Sequence, residues 1–125
     1  MGTFSDAVVH AWLDALCRNT AYQNAEVWVK LHTGDPGSAG TTNAATETTR
    51  KQVTFGAGAA SRTISNTAAL TWTAVSTTET YTHISLWTAS AAGTFLGRDD
   101  LSSSAAMQAG DTFTIPIGDL DLTGT

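Results

Sequence analysis

The sequence predicts a mainly β fold, an antiparallel β-sandwich with one amphipathic helix at its N-terminal end. Short segments of alternating apolar and polar residues recur about every 8–12 residues, with Gly, Pro, Asn or Asp between them. Only 14% of the 125 residues are charged, and a Thr-rich, charge-poor chain suits strands with one solvated face better than a helical bundle. We expect a single domain over residues 1–125, with about seven to eight strands in jelly-roll or immunoglobulin-like order over residues 26–122.

A helix is predicted over residues 5–19. Ser5 suits the N-cap position and Asp6 suits the positive end of the helix dipole. Apolar residues follow at helical spacing: Val8, Val9, Trp12, Leu13 and Leu16. This face is expected to dock either on the chain's own sheet or on a neighbouring subunit. In the second case Val8, Trp12 and Leu16 are the predicted oligomer or attachment contacts.

Residues 26–37 are predicted to open the sandwich as a strand that runs into a stiff turn. Alternation places one apolar set on one face and a mixed set on the other: Val27, Val29 and Leu31 against Trp28, Lys30 and His32. Pro36 and the glycines beside it favour a turn, in which Asp35 is expected to bond locally with His32. Residues 38–49 have no periodicity and are predicted to form a loop that reaches away from the core.

The later strands are expected near residues 53–55, 64, 70–72, 80–88, 95–96, 113–117 and 120–122. The longest of them, 80–88, has Ile84 and Leu86 on one face. The strand that begins at Phe95 is predicted to end at Gly97, which leaves Asp99 and Asp100 as solvated carboxylates in a turn. Further on, Phe113, Ile115 and Ile117 are predicted to share one face of a strand and to alternate with Thr112 and Thr114.

Aromatic side chains mark a candidate ligand or partner surface. Tyr81, His83 and Trp87 fall on one face of the longest strand, and Trp28 lies on the polar-looking face of the opening strand. Aromatic residues on a sheet can stack on sugar rings or form a protein–protein patch. The alternative is that both faces of the strand are covered by the protein itself.

The sequence offers no convincing catalytic or metal site. No histidine stands at metal-ligand spacing from another ligand, so no metal, no cofactor and no enzymatic activity are expected. The net charge of −5 disfavours nucleic acid as a partner. Cys17 is the single cysteine, which excludes an intrachain disulfide, and is expected to be buried. We expect no signal peptide and no membrane-spanning segment.

Several ordered motifs resemble small β-domain virion proteins of tailed bacteriophages, especially those of actinobacteria. They are VWVKLHTGDPG from Val27, RKQVTF from Arg50, SNTA from Ser65, THISLW from Thr82 and AGDTFTIP from Ala109. Members of this group are described as tail-fibre or minor tail proteins, and some as capsid decoration proteins. This chain departs from the pattern at residues 47–49, where relatives carry Gly and an aromatic residue.

The resemblance implies a non-enzymatic structural protein on the outer surface of a virion. We expect it to self-associate, as a trimer, and to contact other virion proteins of the tail or the major capsid protein. The alternative from the aromatic surface is a carbohydrate-binding module that contacts a host surface glycan.

Overall fold

The computed structural model describes residues 3–19, 26–55 and 63–123 and confirms the predicted fold class: antiparallel strands dominate, with one helix near the N-terminus. The strands are β1 (Thr3–Phe4), β2 (Val27–His32), β3 (Lys51–Val53), β4 (Thr63–Ser65), β5 (Leu70–Trp72), β6 (Glu79–Trp87), β7 (Phe95–Met107), β8 (Phe113–Ile115) and β9 (Asp121–Thr123), and the helix is α1 (Asp6–Arg18). Apart from the two-residue β1, the strands all follow the helix.

Five strands form the main sheet in the order β1-β7-β6-β2-β3, and β4–β9 and β5–β8 form two separate ribbons. Every pairing among these strands is antiparallel. β2 and β6 pair from Trp28 opposite Trp87 to His32 opposite His83. β2 therefore pairs along both of its edges, and the burial of Leu31 and His32 on opposite faces shows that different parts of the chain cover the two faces.

One face of the main sheet packs on the ribbons to form the hydrophobic core. Val29 and Leu31 of β2 are fully buried there, as the alternation of β2 predicts. The β5–β8 ribbon contributes Trp72 and Phe113, whose ring centroids are 5.7 Å apart. Helix α1 adds Val8 to the same core. This arrangement gives two β layers around one apolar core, which is how an antiparallel sandwich buries its strands.

The helix is capped as its sequence predicts. The Ser5 hydroxyl accepts a hydrogen bond from the Val8 N–H, which satisfies a donor that the first turn leaves unpaired. The helix ends at Arg18, and Asn19 follows in the left-handed conformation at φ 54°. Asp14 and Arg18 form a 3.6 Å ion pair one turn apart. Cys17 is exposed, so the expectation that it is buried was wrong; it lies on the solvent side of the helix.

The segment after β2 covers the second face of the sheet, contrary to the predicted outward loop. On this face the Thr42 carbonyl oxygen lies 2.9 Å from His32 Nδ1. The Ala45 N–H donates to the Leu31 carbonyl oxygen along the edge of β2, and Ala45 is buried in the core. Further along, the Thr49 carbonyl oxygen accepts a hydrogen bond from Trp72 Nε1. Residues 33–49 lack apolar periodicity because small residues and backbone groups, rather than large side chains, hold them to the sheet.

Strand β7 is much longer than predicted. It continues through Asp99 and Asp100 to Met107, and Asp99 is buried where a solvated carboxylate was expected. The Asp100 N–H donates to Asp99 Oδ1, and burial raises the pKa of the Asp99 carboxyl. β8 is shorter than predicted, because Pro116 cannot donate to a ladder and Ile117 then lies in a turn, 67% exposed.

Candidate interaction surfaces

Helix α1 exposes an apolar flank. Val8 faces the core at 4% exposure, but Val9, Leu13 and Leu16 are 39%, 54% and 82% exposed. Their spacing places them on one stripe beside the buried side of the helix. We call these three residues the helix flank. Of the predicted contacts, Val8 therefore packs within the chain, and Leu16 is free to contact another one.

Trp12 lies between the buried side of the helix and the helix flank. Its ring meets Phe4 edge-on, with centroids 4.6 Å apart, and its side chain is about one-third exposed. Trp12 and Phe4 also border an apolar pocket of about 120 Å³ between the helix and the sheet. The pairing of Phe4 with Trp12 therefore fixes β1 against the helix.

The candidate row of exposed aromatic residues does not form, because the chain covers most of its members, as the alternative reading of the sequence has it. Tyr81 is fully buried and Trp87 is 8% exposed, while Trp28 and His83 are half-buried. A bulge between Tyr81 and His83 shifts the register, so Tyr81 turns to the core and contacts Phe113 at 5.3 Å. Simple alternation cannot predict such a shift, because one irregularity moves the residues before it to the other face.

Trp87 is covered by its own chain. The Arg50 guanidinium lies over its ring at 4.4 Å from the centroid, and the Phe95 ring packs beside it at 5.5 Å. Arg50 also donates to the carbonyl oxygens of Ala89 and Ala92, at 2.8 Å each. Arg50 therefore closes the aromatic end of the sheet.

His32 and Ser85 form a buried polar pair on the same sheet face. His32 Nδ1 lies 2.9 Å from the Thr42 carbonyl oxygen, which can only accept, so Nδ1 carries the proton. His32 Nε2 then accepts from the Ser85 hydroxyl at 2.7 Å, and Ser85 Oγ accepts from Trp87 Nε1 at 2.7 Å. The predicted bond between His32 and Asp35 is therefore wrong.

The pair has the hydrogen-bond order of a serine nucleophile and its base, but not the access that such a pair needs. His32 and Ser85 are both 0% exposed. Burial lowers the pKa of His32 below its usual value, which keeps the ring neutral. The arrangement therefore holds residues 33–42 against the sheet rather than presenting a nucleophile.

Charged side chains line the rim beside this pair. Asp35 Oδ1 accepts from the Gly37 N–H and from Arg98, both at 2.9 Å. The Gly37 hydrogen bond in particular lowers the pKa of Asp35. His83 Nε2 lies 3.0 Å from Asp100 Oδ1. The Arg98 contact ties the turn after β2 to β7, and the His83 contact joins β6 to β7. Within the described residues, no group of three or more His, Cys, Asp or Glu side chains is arranged to hold a metal ion.

Tyr81 carries the one buried side-chain polar atom that finds no hydrogen-bond partner among the described residues, its Oη. Burial raises the pKa of Tyr81 to about 12, with Glu79 and Glu47 adding to the shift. The folded protein therefore resists ionisation of a phenol that the unfolded chain ionises near its ordinary pKa of 10.0.

We expect Tyr81→Phe to be at least as stable as the parent at neutral pH, because it removes a buried hydroxyl without a partner. Above pH 10 the parent should lose stability as the unfolded chain ionises Tyr81, by at most about 1.4 kcal/mol per pH unit. Chemical unfolding at pH 7 and at pH 10–11 measures both effects. A Tyr81→Phe variant that keeps the full alkaline loss would contradict the assignment.

A groove between β7 and β8 was not predicted. Its lining residues come from both strands and the turn after β8: Leu101, Ser102, Ser103, Ala105, Phe113, Thr114, Ile115, Pro116 and Asp119. The groove has a volume of about 230 Å³. The sequence gives no signal for this groove, because the serines from Ser102 show no strand alternation and stand where no regular element is predicted.

The geometry defines a β-rich domain with an amphipathic helix that exposes part of its apolar surface. Residues 3–123 match the family described as Podophage GP4 fiber I protein gp80, and the chain belongs to this family. The match supports the phage tail-fibre class that the sequence motifs resemble. No curated protein matches the sequence. Among the described residues, no helix is long and apolar enough to cross a membrane.

Proposed function

We propose that the protein is a non-enzymatic structural subunit of a phage fibre that self-associates as a trimer on the outside of the virion. The observation that carries the proposal is the helix flank, because its residues stay exposed after the rest of the helix has docked. Large exposed apolar side chains in one stripe are typical of protein–protein contacts. The fibre family supports a virion role, and a tail position agrees with it better than the alternative of capsid decoration.

Burial supplies the driving force for self-association. Leu13 and Leu16 would each contribute about 1.5–3 kcal/mol if an adjoining copy covered them fully. Three copies around one axis bring three such flanks together, which gives each flank a partner of the same chemistry and closes the assembly. The copy number in purified virions separates the two locations: a few to some tens of copies indicate the tail, and hundreds indicate the capsid.

We expect Leu16→Gln to shift the purified protein from trimer to monomer without unfolding it, because Leu16 makes little contact within its own chain. Light scattering coupled to size-exclusion chromatography measures the mass, and circular dichroism checks the fold. His10→Gln is the matched control, since His10 is exposed on the same helix outside the flank. A parent protein that is monomeric at every concentration would overturn the self-association.

The exposed Cys17 provides a second measurement on the unmodified protein. It lies one turn after Leu13, at the edge of the helix flank. If flanks meet in the assembly, mild oxidation of the parent should produce disulfide-linked dimers, and Leu16→Gln should not. Equal cross-linking in both proteins would mean that the cysteines meet by random collision.

A further inference from the structure

The groove between β7 and β8 arises because a part of β7 separates from its neighbouring strand β6. Tyr81 of β6 pairs with Ala105, but His83 pairs with Asp100. Only Thr82 lies between the paired residues on β6, whereas residues 101–104 lie between them on β7. The extra length arches away from β6, and the groove opens between this arch and β8. Bulges that re-aim side chains are over-represented beside functional sites.

The lining of the groove combines hydroxyl groups, one carboxylate and apolar surface. Ser102, Ser103 and Thr114 supply hydroxyls, and Asp119 supplies the carboxylate. Ser102 Oγ donates to Asp119 Oδ2 at 3.2 Å, so a hydrogen bond already joins the two sides of the groove. Leu101 and Pro116 provide the apolar part. A ring that carries several hydroxyls and C–H faces complements this lining.

We infer that this groove binds one unit of a neutral saccharide. Sugar hydroxyls can donate to Asp119 in charge-assisted hydrogen bonds and exchange neutral ones with the serine and threonine hydroxyls. Anionic ligands are disfavoured by Asp119 and by the net charge of −5. A divalent cation is disfavoured because one carboxylate falls short of the oxygen ligands it requires. The inference does not depend on self-association through the helix flank.

The size of the groove fits a single ring. Its volume of about 230 Å³ lies below the range of about 300–1,000 Å³ that is typical of pockets for drug-sized ligands. One sugar ring in a shallow groove is expected to bind with a dissociation constant in the millimolar range. Repetition of the site in an assembly would raise the avidity without any new contact.

Amide chemical shifts of the parent protein test the inference directly. Titration with glucose, galactose, mannose and N-acetylglucosamine, each up to tens of millimolar, should move the amides of Ser102, Ser103 and Thr114 with at least one of them. Asp119→Asn should weaken that binding about tenfold, since it replaces a charged acceptor by a neutral one. Ser102→Ala provides a second variant that removes a hydroxyl from the opposite side.

Ser104→Ala is the matched control, because Ser104 belongs to the same serine run and is exposed but does not line the groove. It should bind the sugar as the parent does. The inference is overturned if none of the sugars moves the groove amides. It is also overturned if Asp119→Asn and Ser102→Ala, both folded by their amide spectra, bind as tightly as the parent.

Discussion

Replacement of Gly40 by alanine should destabilise the protein by about 2–5 kcal/mol. Gly40 has φ +72°, and an added Cβ would collide with the ring of Phe95. A left-handed conformation costs a non-glycine residue about 1–2 kcal/mol, and overpacking adds about 1–3 kcal/mol. Phe95 cannot yield easily, because its ring packs against Trp87. Urea unfolding of parent and variant measures the difference in free energy of unfolding.

Gly110→Ala is the matched control for this experiment. Gly110 also has a positive φ, +94°, but nothing lies within 4 Å of an added Cβ there. It should therefore lose only the backbone part, about 1–2 kcal/mol. The excess loss in Gly40→Ala measures the contact that holds residues 33–45 over the aromatic end of the sheet. Equal losses in the two variants would show that this segment does not pack against Phe95.

The sequence predicts well those elements whose formation depends on one local cause, such as burial of a face or capping of a helix end. β2 alternates because one of its faces meets the apolar core, and Val29 and Leu31 are fully buried as a result. Helix α1 begins after Ser5 because a side-chain oxygen must satisfy its first N–H groups. Burial and capping act on neighbouring residues, so a local pattern is enough to predict them.

The elements that the sequence misses depend on contacts between distant residues. Nothing around Ala45 indicates burial, because its place is fixed by a hydrogen bond to the Leu31 carbonyl oxygen and by the strands beneath it. Likewise, β7 continues through Asp99 since β6 supplies its ladder, although an acidic pair is unfavourable in strands. The length of β7 and the cover over Trp87 follow from tertiary structure alone.

The candidate sites divide in the same way. Helical spacing identifies the apolar residues of α1, but only the docking of Val8 shows that Leu16 is left exposed. The aromatic row fails because the bulge before His83 turns Tyr81 into the core. The groove could not be predicted, since it exists only where residues 101–104 arch over against β8.

Replacement of His32 by leucine should destabilise the protein by about 2–3 kcal/mol at pH 7–8. Leucine matches the size of the ring but makes neither hydrogen bond, so the buried Ser85 hydroxyl loses its acceptor and the Thr42 carbonyl oxygen loses its donor. Denaturant unfolding measures the loss. A change below about 0.5 kcal/mol would show that the buried pair contributes nothing to holding residues 33–42.

The pH dependence of the same two proteins tests the charge state of the ring. Burial lowers the pKa of folded His32, so the unfolded chain takes up the proton first as the pH falls through the ordinary value of 6.5. The stabilising contribution of neutral His32 is therefore complete above pH 6.5 and is lost below it, with a slope of at most about 1.4 kcal/mol per pH unit. Leucine has no such loss, so the two stability curves should converge in acid.

The Asp99 carboxyl must be separated from this effect. Asp99 acts with the opposite sign, because burial raises its pKa and the folded protein gains stability as the pH falls towards the ordinary value of 3.8. His10→Gln and His83→Gln remove the other two histidines of the chain and leave His32 in place, so they serve as controls and should keep the acid loss. If His32→Leu keeps the same slope as the parent below pH 6.5, His32 is not the group that titrates.

Ser85→Ala completes the argument, because it separates the hydrogen bond from the ring. Without the Ser85 hydroxyl, His32 Nε2 has no donor. The neutral form of the ring then loses the hydrogen bond that stabilises it relative to the charged form. The acid loss should then be smaller than in the parent. The double variant should show a coupling of about 0.5–3 kcal/mol between the two positions, as expected for residues in one buried network. Strict additivity would mean that His32 and Ser85 stabilise the protein independently.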